Sequence, residues 1–155
     1  MALRTRMAAA AALLFLLTAS GCAYYNTFYL ARKYYNQALE EEKKNTTGKL
    51  SPQASASYDK SITQCAKILK RYAGSKWVDD ALFLIGKDYF GKESYVEARR
   101  YLNELVTAHP ESPFVAEARF WIGRTYLADH EYDRARAEFE ALTTADPKFP
   151  LTDEI

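Results

Sequence analysis

The sequence predicts an all-α fold, a solenoid of paired helices, on three observations. Segment 75–111 overlays segment 112–148 without a gap: Ala81 falls on Ala118, Phe83 on Phe120, Ile85 on Ile122, Gly86 on Gly123, Tyr89 on Tyr126, Tyr95 on Tyr132, Ala98 on Ala135, Leu105 on Leu142 and Pro110 on Pro147, an offset of 37 residues. Within each unit the apolar residues recur at spacings of three and four, the period of an amphipathic helix, and the alternation a strand needs is absent. Small residues (Gly86, Ala98, Gly123, Ala135) stand where the two helices of a hairpin must approach closely, with tyrosines beside them. A larger side chain there would pry the hairpin open.

Taken in chain order, the first element is an address. Arg4 and Arg6 precede an uncharged stretch from Ala8 to Leu17, followed by the small residues Ala19, Ser20 and Gly21 before Cys22. That is the pattern of a secretory signal peptide, here residues 1–21. Ten apolar residues in a helix rise about 15 Å, half of a bilayer core of about 30 Å, so the stretch is too short for a stable span. The string Ala19-Ser20-Gly21-Cys22 resembles the lipobox of bacterial lipoproteins, although Ala19 stands where leucine is preferred. The resemblance implies a diacylglycerol joined to the Cys22 thiol, which becomes the mature N-terminus. An ordinary secretory cleavage site beside an unrelated cysteine is the alternative. Buried acyl carbons contribute about 0.8 kcal/mol per CH₂, so several chains anchor a protein durably. Ala23, rather than aspartate, follows the cysteine. By resemblance to the sorting rule of enteric bacteria, this points to the outer membrane.

The helical elements follow. A first helix is expected over about 24–43, because Phe28 to Tyr35 matches Phe83 to Phe90 in character. Tyr58, Ser61 and Ile68 fall on Tyr95, Ala98 and Leu105, so 57–72 reads as its partner. Tyr34 to Tyr58 spans 24 residues against 6 for Tyr89 to Tyr95, and much of the inserted part, Asn45 to Ser57, reads as a flexible loop rich in Thr, Gly, Ser and Ala. The next helices are expected over about 77–90, 95–108, 114–128 and 132–144. Gly91 is a candidate terminator, Ser94 with Glu97 a capping box, and Ser112 an N-cap ahead of Pro113 at the first helical position. Pro110 and Pro147 close the second helices. The mature domain is thus 22–150, with units 24–74, 75–111 and 112–148. Pro147 to Ile155 repeats the register of Pro110 to Ala118, so 151–155 is expected to start a further helix or to be a truncated end. Either the sequence is truncated there, or helix 132–144 leaves a sticky side for a partner.

Composition restricts the function. The 155 residues are 48% hydrophobic and 26% charged, which suits one globular domain. Removing 1–21 takes away Arg4 and Arg6 and no acid, leaving 19 basic against 20 acidic residues. No field or basic stripe gathers nucleic acid. Twelve tyrosines and eight phenylalanines supply cores and contact surfaces. Trp77 and Trp121 are expected in packing between repeats. Cys65 falls at the position of Leu102 and Phe139 and reads as a small buried hydrophobe, not a reactive thiol. His109 and His130 sit beside turns without companion metal ligands and read as surface residues. Glu40 to Glu42 read as a solvated helix face, and no glycine-rich phosphate loop or nucleophile-base arrangement is visible. The expectation is a protein that is not an enzyme, has no small-molecule substrate, and carries no cofactor beyond the covalent lipid on Cys22.

These residues resemble the tetratricopeptide family, at Gly86, Tyr89, Ala98, Leu102, Leu105 and Pro110, and again at Gly123, Tyr126, Ala135, Phe139, Leu142 and Pro147. Leu82 and Arg119 depart from its usual tryptophan, and each unit is three residues longer. That longer period, with Ser112-Pro113-Phe114-Val115 in the connection and a lipobox ahead, resembles the BamD-type outer-membrane assembly lipoproteins and the Tol-Pal-associated periplasmic coordinator. The resemblance covers about 24–150. It implies that first helices line a concave face, where Phe28, Arg32 and Tyr35, then Phe83, Lys87 and Phe90, then Phe120, Arg124 and Leu127 form a basic residue flanked by rings or aliphatics in each unit. Such a ladder suits an extended peptide or an acidic terminus. Alternatively the rings pack between hairpins and the cations solvate the face. The expected function is a lipid-anchored scaffold on the periplasmic face of the outer membrane, binding cell-envelope proteins in outer-membrane protein assembly. The alternatives are a Tol-Pal-associated coordinator of cell division or peptidoglycan synthesis and a self-associating structural lipoprotein.

Overall fold

The computed structural model describes residues 26–46, 48–75, 77–147 and 149. Cys22, the signal peptide expected over 1–21 and the segment 151–155 lie outside the described residues. Among those described are six helices and no strand: α1 (26–44), α2 (Pro52–Arg71), α3 (Val78–Gly91), α4 (Tyr95–Ala108), α5 (Val115–Ala128) and α6 (Tyr132–Ala145). They pack as three consecutive hairpins, the expected all-α solenoid.

The first hairpin absorbs its insertion as extra helix, not only as loop. Helix α2 begins at Pro52, five residues before the expected start, because Ser51 accepts the Ala54 N–H at 3.0 Å and Pro52 fills the first turn. The added turns bury something: Ala54 and Tyr58 pack against Ala38 in the lengthened second half of α1. On the solvent side of α1, Lys43 and Lys44 pair with Glu40 and Glu41 at 3.0 and 3.2 Å, each pair stabilising the helix by a few tenths of a kcal/mol, about 0.2–0.5. The connection shrinks to 45–51.

The helix ends also differ from expectation. Ser94 occupies the N-cap of α4, but its hydroxyl makes no cap hydrogen bond. The turn is held from the other side, by a Schellman motif closing α3. Glu93 adopts φ 57°, its N–H donates to Phe90 O at 2.9 Å, and the Ser94 N–H donates to Tyr89 O at 2.9 Å. His130 (φ 61°) repeats the motif, its N–H reaching Leu127 O at 3.0 Å while the Glu131 N–H reaches Tyr126 O at 2.8 Å. Ser112 is not the N-cap of α5, which is Phe114. Its hydroxyl accepts the Phe114 N–H at 3.2 Å and donates to Asp79 at 2.6 Å, tying the second connection to the start of α3.

Close approach explains the glycines. A Cβ on Gly86 would stand 2.5 Å from Leu102, and one on Gly123 would stand 2.5 Å from Phe139, so equivalent pairs weld hairpins two and three. Ala31 and Cys65 take those places in hairpin one, both wholly buried. Gly91 is needed for a different reason than termination: a Cβ there would meet the Tyr58 ring at 2.3 Å. The backbones of α3 and α5 come together, whereas those of α2 and α4, and of α4 and α6, stay apart. The stack therefore curves with the first helices of the hairpins on its inner side.

Candidate protein-binding face

The inner side carries a cleft of about 280 Å³ between α1 and α3, with Phe28, Arg32, Tyr35 and Asn36 on one wall and Phe83, Lys87 and Phe114 on the other. Helical spacing explains the walls: residues three and four apart share one stripe, so α1 offers a ring, a cation and a further ring, and α3 a ring and a cation. Five of the nine expected contact residues meet here: Phe28, Arg32, Tyr35, Phe83 and Lys87. Phe90, Phe120 and Arg124 gather around Trp121 in a second group. Leu127 belongs to neither and lines a cleft on α6.

The rings and cations do not stand apart. Phe83 is buried and stacks on Phe114 with centroids 5.0 Å apart. The Lys87 ammonium sits 5.1–5.4 Å from the centroids of Tyr35, Phe83 and Trp121, and 3.6 Å from the Glu117 carboxylate. This one side chain joins α1, α3 and α5. The Arg124 guanidinium lies 4.7 Å from the Trp121 ring and 5.0 Å from Phe90, and Trp121 meets Phe90 edge-on at 4.9 Å. Phe120 packs between Phe139 and Phe149. Arg32 is exposed, with its charge facing Asp80, and Asn36 is exposed beside it. Asn36, Asp80, Leu84 and Phe114 line the cleft without having been assigned to it from the sequence, and Glu117 and Trp121 join it through Lys87. The offset could have found Glu117, since a carboxylate 30 residues after Lys87 lies on the neighbouring first helix.

Burial sets the electrostatics below the cleft. Asp80 is pushed up to about 6 by burial and then by Asp79, partly offset by Arg32. Burial, with Asp88 and Glu42 adding, raises the Tyr35 phenol far above its ordinary range. Asp88 is wholly buried where α3 meets α2, and burial drives its carboxyl well above the carboxylate range. The Ser61 hydroxyl adjoins it without closing a hydrogen bond, and both Asp88 oxygens are unpaired among the described residues. Burial likewise pushes the Cys65 thiol up, away from the reactive thiolate. Trp121 packs between repeats as expected, while Trp77 is 39% exposed at the N-cap of α3.

Among the described residues no three His, Cys, Asp or Glu side chains are grouped to hold a metal, and no helix is long and apolar enough to cross a membrane. What the face offers is ring area, amide and charge in a shallow cleft, which are the means of binding a polypeptide. No curated protein matches the chain. A family model for the tetratricopeptide repeat matches residues 83–150, which takes in most of α3 and all of α4, α5 and α6. The 37-residue repeat, the Gly86–Leu102 and Gly123–Phe139 welds and the curvature agree with that match. Residues 83–150 are therefore similar to the tetratricopeptide repeat in sequence and in packing, a likeness that suggests a scaffold for protein–protein interaction.

Proposed function

We propose that this chain is a lipoprotein, held through Cys22 at the periplasmic face of the outer membrane, whose hairpin stack binds envelope proteins engaged in the assembly of outer-membrane proteins. The observation that carries the binding reading is the cleft between α1 and α3, where the exposed Arg32 and Asn36 flank the rings of Phe28 and Tyr35. The lipobox-like Ala19-Ser20-Gly21-Cys22 supports the anchor, and the Ser112-Pro113-Phe114-Val115 connection supports the assembly pathway by resemblance alone.

Recognition on this reading falls to Arg32 and Asn36. Lys87 and Arg124 are already committed to rings, and Lys87 to Glu117 as well, so they shape the wall and stiffen the stack. An acidic or amide-rich segment of the partner would meet Arg32, with rings supplying contact area at low entropic cost. Arg32→Glu changes an exposed side chain, so helical circular dichroism should be retained while the partner no longer co-purifies from solubilised envelopes. Unchanged co-purification would remove the cleft from the reading. Intact mass of the mature protein should equal the chain from Cys22 plus acyl groups, and Cys22→Ser should release it from membranes. An unacylated mass would remove the anchor. Captured Tol-Pal or wall-synthesis proteins, in place of barrel-assembly proteins, would redirect the pathway.

A further inference from the structure

The charges of the first hairpin are sorted by end. Helices α1 and α2 run antiparallel, since Ala31 shares a buried cluster with Cys65 and Ile68 while Ala38 packs on Ala54 and Tyr58. The beginning of α1 therefore stands beside the end of α2, and α3 begins there too, with Ala81 in the Ile68 cluster. Segments 26–35 and 62–71, the halves of α1 and α2 at this end, hold five cations (Arg32, Lys33, Lys67, Lys70 and Arg71) and no acid. The remainder of the hairpin, 36–61, holds four of each sign. All five cations are exposed. Arg32 faces Asp80 in the cleft, whereas Lys33, Lys67, Lys70 and Arg71 form no ion pair among the described residues. Asp79, at the start of α3, already accepts the Ser112 hydroxyl. The macrodipole of α2 accounts for Lys70 and Arg71 in its last turn, but not for Lys33 or Lys67. Two exposed rings frame the same end, Tyr29 at 57% in the first turn of α1 and Trp77 at 39% at the N-cap of α3.

We propose that this end of the first hairpin rests on the anionic headgroups of a phospholipid bilayer, with Lys33, Lys67, Lys70 and Arg71 meeting lipid phosphates and Tyr29 and Trp77 entering the interface. Its place at a membrane rests on the proposed Cys22 anchor. Asn26, the first residue of α1, comes four residues after Cys22, and four residues reach at most about 14 Å. Attraction to a charged surface fades over a Debye length of about 8 Å, so only cations held that close to the bilayer feel it. The end nearest the tether is the end that carries them. Residues 1–25 contain no Asp or Glu, so no carboxylate ahead of α1 neutralises the cations, whatever course that segment takes. Tyrosine and tryptophan rings favour the headgroup level, where one edge is apolar and the other wet. Arg32, which turns into the cleft, is left for the polypeptide partner.

The test reconstitutes the acylated full chain on vesicles of phosphatidylcholine alone or of phosphatidylcholine and phosphatidylglycerol in equal parts. A membrane-impermeant reagent then acetylates accessible lysines, which peptide mass spectrometry reads. Lys33, Lys67 and Lys70 should react at least about fivefold more slowly on the anionic vesicles, the scale of one cation's attraction to such a surface. Lys43, Lys44 and Lys49, exposed at the opposite end, should be unaffected. Protection should vanish at about 1 M salt, where the Debye length is about 3 Å. Lys67→Glu with Lys70→Glu should abolish the protection of Lys33, while Lys43→Glu with Lys44→Glu, the same charge change at the far end, should preserve it. All four side chains are exposed, so helical circular dichroism of both variants should match the parent. Equal reactivity on the two kinds of vesicle, or protection spread evenly over both ends, overturns the proposal. An unacylated intact mass removes the anchor alone: the chain added to preformed vesicles must then show the same pattern, and its failure to do so overturns this inference as well.

Discussion

Replacing Asp88 by asparagine should change how stability depends on pH, and the size of the change follows from where the side chain sits. Asp88 is fully buried at the junction of α2 and α3, and its carboxyl is raised by burial against smaller opposing influences from Ser61, Lys87 and Lys92. The same position one repeat later is Thr125, also buried, whose hydroxyl is satisfied by Ile122 O at 2.6 Å. An acid with a folded pKa above its unfolded value of about 4 binds more protons folded than unfolded between the two values. Its stabilising contribution is therefore full below about pH 4 and falls by about 1.4 kcal/mol per pH unit until the folded value is passed. Asparagine keeps the shape and removes the titration, at a pH-independent cost of about 1–3 kcal/mol for an amide that lacks partners. Urea unfolding of both proteins at pH 4.5, 5.5, 6.5 and 7.5 gives the difference directly, conditions chosen to span about three units above the unfolded value. The parent should lose stability relative to Asp88→Asn as pH rises, by about 1.4 kcal/mol per unit over the titrating interval. Asp80 and Glu42, both raised mainly by burial, titrate in both proteins and cancel. A difference that stays constant across the series would refute the upward shift assigned to the buried Asp88 carboxyl.

Two further perturbations test the fold. Gly86→Ala and Gly123→Ala each place a Cβ at 2.5 Å from the facing side chain, and overpacking of about 1–3 kcal/mol should outweigh a helix-propensity gain of at most about 1 kcal/mol. Thermal melts should fall for both, and a rise would mean the hairpins are not welded there. Glu93→Gly and His130→Gly should instead stabilise by about 0.5–1 kcal/mol each, because both residues occupy the left-handed region that costs a side chain about 1–2 kcal/mol. Denaturant midpoints that fall would count against the Schellman geometry.

The hairpins of the second and third units were legible because the repeat samples each position twice, and chance coincidences do not survive a second sampling. The start of α2 is not legible in the sequence because the Ser51-Pro52 signal is embedded in a Ser- and Ala-rich string that looks like linker. Its extra turns exist because Ala38 and Ala54 can bury each other, a contact no local pattern reveals. Gly91 looked like a terminator, yet its requirement comes from Tyr58, thirty-three positions earlier in the chain. In the cleft, spacing puts rings and cations on one shared face of α1 and α3. It could not disclose that Glu117 and three rings take up the Lys87 charge, which depends on how far each helix is rotated about its axis. Leu127 was assigned to that face by repeat equivalence alone, and the last turn of α5 carries it to the α6 cleft instead.

The central claim is that the inner side of the stack is where another polypeptide is bound. A photo-crosslinking amino acid in place of Asn36, exposed on the cleft wall, or of Asn103, exposed on α4, tests it in living cells. The account predicts a discrete crosslinked partner from position 36 that Arg32→Glu eliminates, and none from position 103. A partner captured equally well from position 103, or one from position 36 that persists with Arg32→Glu, would contradict it.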